Sequence, residues 1–214
     1  AQMPEPQPAW AQQYNQQMEP AWGRRFEPPS ITGSESFGVL HALLNLYIET
    51  GEARFLTPIQ PALDWARRSL LPDGRLARFY ELQTNRPLYF VRDTYEMTYS
   101  DADMPTHYNF KVKGLERIRS VEKVLQRLEE QGREAVLARR RQRDSGSLTD
   151  RLEAQARAII AAVDAQGRFV EAGHMKPAEY GDEPIVAQVI RCQTFIRNLR
   201  TLSRYVALAA PASP

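Results

Sequence analysis

Two helix-start signals standing 25 residues apart constrain the fold more than any other feature of this chain. Thr32-Gly33-Ser34-Glu35 has the form of a capping box, in which a threonine hydroxyl accepts from an early helix N–H and a glutamate reaches back. Phe37, Leu40, Leu44, Tyr47 and Ile48 follow at helical spacing, and Gly51 offers a stop. Thr57-Pro58-Ile59-Gln60 is a second start, with proline suited to a first helical position. Ile59, Leu63, Ala66 and Leu70 form its apolar stripe, and Pro72-Asp73-Gly74 reads as the turn that ends it. Two amphipathic helices on a short loop must bury their stripes against each other, so residues 34–70 are expected to form an antiparallel helical hairpin.

The flanking segments differ in character. The first thirty residues are rich in Pro, Gln and Trp and have no sustained period, which predicts irregular structure pinned by its aromatics. Over residues 75–92, Arg78-Phe79-Tyr80-Glu81-Leu82 and Leu88-Tyr89-Phe90-Val91 are short aromatic and β-branched runs around a polar loop, an extended pair. Residues 113–143 predict an exposed helix with Leu115, Ile118, Val121, Leu125 and Leu128 on one face. A further helix is expected to about Ala165, a turn at Gly167-Arg168-Phe169-Val170, and a last helix over 184–208 carrying Cys192 as a small core residue. Residues 209–214 read as a disordered tail. The fold class expected from these elements is mainly α, with short extended segments near residues 75–92.

Composition excludes several functions. A formal charge of +2 is too small for a protein built to coat nucleic acid. The single cysteine rules out a disulfide framework and multi-cysteine metal sites. No apolar run approaches the roughly 20 residues that cross a bilayer, and no signal peptide is visible. His41, His107 and His174 do not fall at metal-ligand spacing, Ser34 and Ser36 are better explained by capping than by a nucleophile elbow, and Arg139–Arg143 reads as a solvated helix end. No metal ligand is assigned. Of the 28 basic residues only Lys111, Lys113, Lys123 and Lys176 are lysine. Codon bias in a GC-rich genome is one account of that. The other is that arginines bind planar carboxylates through two-pronged donors that lysine lacks. Arg24, Arg25, Arg78, Arg86 and Arg92 stand in unusual company, among prolines and aromatics outside the predicted helices.

These residues also carry a resemblance. Pro8-Ala9-Trp10-Ala11-Gln12-Gln13-Tyr14, Arg25-Phe26-Glu27-Pro28-Pro29-Ser30, Gly33-Ser34-Glu35-Ser36-Phe37-Gly38, Ala77-Arg78-Phe79-Tyr80-Glu81-Leu82, Thr84-Asn85-Arg86-Pro87 and Arg92-Asp93 occur in that order. Together they resemble the C-terminal half of the catalytic domain of the family 10 polysaccharide lyases, the pectate lyases. The resemblance implies an α/α toroid, here incomplete, with residues 1–112 as the lyase-like part and 113–208 as additional helices packed on it. It also implies cleavage of polygalacturonate by β-elimination in a secreted or periplasmic setting. By position, Arg25 would be the Brønsted base, with Arg24 and Arg86 as rivals. Arg78 and Arg92 would grip substrate carboxylates, Asn85 and Arg86 would line the groove, and Tyr80 would contact a sugar. Calcium is implied as cofactor, with its ligands in blocks upstream of this chain, which therefore looks N-terminally truncated. An alternative from another class is a non-catalytic helical module that binds acidic polysaccharide through the same arginines. Neither reading involves nucleic acid or a membrane.

Overall fold

The computed structural model describes residues 2–144, 148–175 and 185–209. The chain divides into two compact units, Ala1–Ala138 and Arg139–Pro214. The first holds β1 (Ile31–Thr32), α1 (Glu35–Thr50), a 3-10 turn (Ala53–Phe55), α2 (Ile59–Arg68), β2 (Leu76–Ala77), β3 (Phe79–Tyr80), β4 (Pro87–Phe90), β5 (Met97–Thr98), β6 (Lys111–Val112) and α3 (Gly114–Gln131). The division falls inside α4 (Arg133–Asp144), and the second unit continues with α5 (Asp150–Ala161), β7 (Glu171–Met175), β8 (Ile185–Val189) and α6 (Cys192–Ala209).

The start of α1 forms by half of the expected device. Thr32 Oγ1 accepts from the Glu35 N–H at 2.8 Å, while the Glu35 carboxylate turns away and pairs with Arg78. Gly51 closes the helix by donating its N–H to the Tyr47 carbonyl at 2.8 Å. Phe37, Leu40, Leu44 and Ile48 are buried along α1, and Ile59, Leu63, Trp65 and Ala66 along α2. The two helices touch, and both also pack on α3, which contributes Ile118 and Val121.

A four-stranded antiparallel sheet in the order β1-β3-β4-β5 shares this core. Its register places Ile31 opposite Tyr80, Phe79 opposite Leu88, and Phe90 opposite Met97. β2 pairs separately with β6, Leu76 opposite Val112. The expectation of a mainly α, toroid-like chain is corrected accordingly: with 46% helix and 12% strand, the architecture is mixed α/β. The reason lies in the strands themselves. Successive strand residues point to opposite faces, yet Phe79 and Tyr80 are both fully buried, as are Leu88, Tyr89 and Phe90. A strand apolar on both faces must be covered on both, so it becomes part of the central core shared with the helices.

The N-terminal segment is irregular but closely held. Trp10 is buried, its N–H donates to Ser36 Oγ at 3.1 Å, and its carbonyl accepts from the Thr32 N–H at 2.9 Å. Gln7, also buried, donates to the Glu81 carbonyl at 2.8 Å and accepts from the Gln83 N–H at 2.7 Å. Pinning by aromatics holds for Trp10 alone of the two tryptophans here, since Trp22 is exposed.

Further along, the single helix expected over 113–143 is interrupted at Gly132, whose φ of 76° and ψ of 156° leave the helical region. In the second unit, the helix expected over 184–208 begins only at Cys192, because the β-branched run Ile185–Val189 pairs with β7 as an antiparallel strand. Cys192 is exposed, a correction to its reading as a core residue. α5 starts at Thr149, whose hydroxyl accepts from the Leu152 N–H, and lies against α6. The tail expected over 209–214 lies outside the described residues except for Ala209, the last residue of α6.

One close approach joins α1 to the strands. A Cβ on Gly33 would stand 2.3 Å from the Ala77 carbonyl oxygen and 2.8 Å from Leu76 Cβ, while its N–H donates to the Arg78 carbonyl at 3.0 Å. The obstacle is backbone, which cannot rotate aside. Gly33→Ala is therefore expected to destabilise the fold by about 2–3 kcal/mol. The measurement is urea unfolding, where the midpoint should fall at unchanged slope; an unchanged midpoint would refute the close approach.

Candidate functional site

Three of the sequence-predicted arginines meet on one aromatic cluster. Phe26 packs on Tyr95 (centroids 5.6 Å apart), His107 (5.4 Å) and Tyr108 (4.7 Å). Arg25 lies over the Tyr95 ring at 4.9 Å, Arg24 over Phe26 at 4.9 Å and Tyr108 at 5.2 Å, and Arg78 over Tyr108 at 4.6 Å. The geometry suits cation–π attraction, worth about 0.5–2 kcal/mol per pair. Tyr108 thus contacts two guanidinium groups brought from segments 54 residues apart.

Beneath this cluster lies a buried carboxylate. Glu27 is 4% exposed and accepts four hydrogen bonds: from Arg24 Nη2 (2.5 Å), Gln12 Nε2 (2.8 Å), Tyr108 Oη (3.0 Å) and the Arg24 backbone N–H (3.0 Å). The Arg24 guanidinium is the main cause that holds its pKa well below 4.5, at about 2, against the opposing effect of burial. The Arg24 N–H, Gln12 and Tyr108 act in the same direction. Arg78 is mostly buried and neutralised by Glu35. Arg78 Nε, Glu35 Oε2 and Gln12 Oε1 are buried with no hydrogen-bond partner among the described residues.

The remaining predicted residues have other surroundings. Arg25 is exposed, donates to the Thr94 carbonyl at 2.6 Å, and makes no carboxylate ion pair within 4 Å among the described residues. Arg86 is also exposed, its guanidinium 3.4 Å from the Tyr99 ring centroid, and likewise lacks such a pair. Arg92 pairs with Asp103 at 3.1 Å rather than with its chain neighbour Asp93. Asn85 is an internal strut: with φ of 57°, its Oδ1 accepts from Trp65 Nε1 (2.8 Å) and Gln7 Nε2 (3.0 Å), and its Nδ2 donates to Ser69 Oγ (2.8 Å). Tyr80 is 1% exposed, its hydroxyl donating to the Ser69 carbonyl at 2.5 Å and accepting from the Ala77 N–H at 2.9 Å. Burial pushes its pKa up. A side chain so enclosed does not reach a sugar, which corrects its reading as a contact residue.

Sequence reasoning missed Tyr95, Tyr99 and Tyr108, which hold the arginines in place. It also missed an open groove of about 550 Å³ between α1 and the start of α3, lined by Phe37, Gly38, His41, Asn109 and Arg117 among others. Arg117 donates to the Ser34 carbonyl at 3.1 Å and lies 6.0 Å from the Phe37 ring centroid. The volume falls in the range of small-molecule sites. No spacing rule would have linked Phe37 to Arg117, because helices meet through tertiary packing.

Among the described residues no group of three or more His, Cys, Asp or Glu side chains is arranged to hold a metal ion. Asp101 and Asp103 are paired with Lys111 and Arg92. The resemblance places the calcium ligands upstream of this chain, so these residues do not bear on that expectation.

The depressed Glu27 pKa makes a pH prediction. Its stabilisation is fully present above about 4.5 and is lost as pH falls through about 2. The shift corresponds to about 3 kcal/mol. Urea unfolding between pH 5 and 2 should show this acid loss in the wild type and a flatter profile in Glu27→Gln; parallel profiles would sink the assignment. Comparison of the chain with protein-family models and with curated proteins returned no match.

Proposed function

We propose that this chain engages acidic polysaccharide of the polygalacturonate type, as the arginine-bearing part of a pectate-lyase-like protein. The observation that carries the reading is the state of the arginines. Arg25 and Arg86 are exposed, braced on tyrosines, and without a carboxylate partner within 4 Å among the described residues. A uronate carboxylate can bind either through charge-assisted hydrogen bonds without displacing a protein group. Arg78 and Arg92 start from ion pairs with Glu35 and Asp103, so their use as carboxylate grips requires an exchange of partners. Each of these two guanidinium groups is braced on a tyrosine ring, Arg25 on Tyr95 and Arg86 on Tyr99.

Cleavage by β-elimination is the enzymatic form of the proposal. Removing the proton on C5, beside the uronate carboxylate, builds negative charge on that carboxylate, and fixed cations stabilise it. Arg25 as the base rests on the resemblance alone: a guanidinium accepts the C5 proton only after giving up its own to solvent, and cations around the uronate ease the transfer by acidifying C5–H. The C4–O4 bond then breaks to leave a C4=C5 double bond, and the departing O4 takes a proton from water. Calcium as a cofactor with ligands outside this chain, and a secreted or periplasmic setting, belong to the same proposal. The non-catalytic form needs only the binding surface.

The test is retention of the full chain in gels containing polygalacturonate, together with the ultraviolet absorbance of unsaturated uronides. Arg25→Ala and Arg86→Ala should each weaken binding by about tenfold, in a salt-sensitive manner. Absorbance that appears with calcium and is lost in Arg25→Ala supports the lyase; binding without absorbance supports the module. A wild-type chain that does not bind refutes both.

A further inference from the structure

We infer that Trp22 is a stacking platform for a uronic-acid ring, two and three positions along the chain from the Arg24 and Arg25 cations. The inference rests on the acidic-polysaccharide reading and adds to it a residue that lies outside the sequence blocks carrying the resemblance.

Of the three tryptophans, Trp10 is 7% exposed and Trp65 is fully buried, whereas Trp22 is 55% exposed. Its backbone is nevertheless fixed on both sides. Tyr14 and Pro20 form a β-bridge, the Ala21 N–H donates to the Gln13 carbonyl at 3.2 Å, and Gln13 Nε2 returns to the Ala21 carbonyl at 3.0 Å. At the turn of this loop Asn15 Oδ1 accepts from the Gln17 and Glu19 N–H groups. Beyond Trp22, the Gly23 N–H donates to the Glu27 carbonyl at 3.0 Å, and a Cβ on Gly23 would stand 2.4 Å from Gln13 Nε2. An aromatic side chain with two rotatable bonds on a clamped backbone loses little entropy when it binds.

Charge selects the kind of ring. Arg24 and Arg25 follow within three residues, so their Cα atoms lie at most about 11 Å from that of Trp22. Arg24 is committed to Glu27, while Arg25 makes no carboxylate ion pair within 4 Å among the described residues. A pyranose uronate presents an apolar C–H face to stack on indole and a carboxylate rim to meet guanidinium. An uncharged sugar would gain the first contact only.

Acrylamide quenching of tryptophan fluorescence tests this, because Trp10 and Trp65 are shielded and collisional quenching reads Trp22. Saturating oligogalacturonate should reduce that quenching severalfold, and a neutral galactose oligomer should not. W22A should remove the quenchable component and weaken oligogalacturonate binding about tenfold at an unchanged urea midpoint, and W22F should retain most of the affinity. If oligogalacturonate binds in an Arg25-dependent way while Trp22 stays fully quenchable, or W22A binds like the wild type, the platform is wrong and the arginine surface stands. If the wild type does not bind, both fall.

Discussion

A carboxylate removed from water must find donors, and the satisfaction of Glu27 organises the surface of the first unit. Left unpaired, a buried carboxylate would be neutralised or expelled. Here three residues from three segments converge on it: Gln12 from the irregular N-terminus, Arg24 from the adjoining turn and Tyr108 from the loop before β6. Fixing Arg24 and Tyr108 fixes what they touch. Phe26 packs on Tyr108, Tyr95 packs on Phe26, Arg78 stacks on the other reach of Tyr108, and Arg25 settles on Tyr95. The arginines are therefore preorganised by a charge that none of their ligands would see.

The same arrangement sorts the cations into two kinds. Arg24 and Arg78 are neutralised within the protein and act as structure, whereas Arg25 and Arg86 are supported by aromatic faces that leave their charge available. A charge pairing at Arg25 or Arg86 would break no internal ion pair within 4 Å among the described residues, whereas one at Arg24 or Arg78 would. The small net charge of +2 conceals this sorting, since totals do not distinguish a committed arginine from a free one.

Much of the helical framework was legible. Capping and apolar spacing located α1 and α2 closely, because these signals act over one turn of chain, whereas α5, expected to about Ala165, ends at Ala161. Strands of two residues, such as β1, β2, β5 and β6, are too short to show a period, and they exist because distant partners hold them. Ile185–Val189 was read into a helix for the related reason that a short apolar run suits either structure until a pairing strand is found. Asn85 and Arg86 are neighbours in one loop, yet Asn85 braces Trp65 and Ser69 inside while Arg86 faces solvent; composition treats both as polar groove candidates.

What the sequence by itself determined are the local elements and the excess of arginine over lysine. Helix caps and side-chain charge are properties of a few consecutive residues, so they survive without knowledge of the fold. Only the tertiary structure decided which arginines pair with carboxylates, which aromatics carry them, that Tyr80 is core and Trp22 is surface, and that helices and strands of the first unit share one core. Those outcomes depend on burial and on partners tens of residues away, such as Glu35 with Arg78 and Glu27 with Tyr108, and chain proximity carries no record of them.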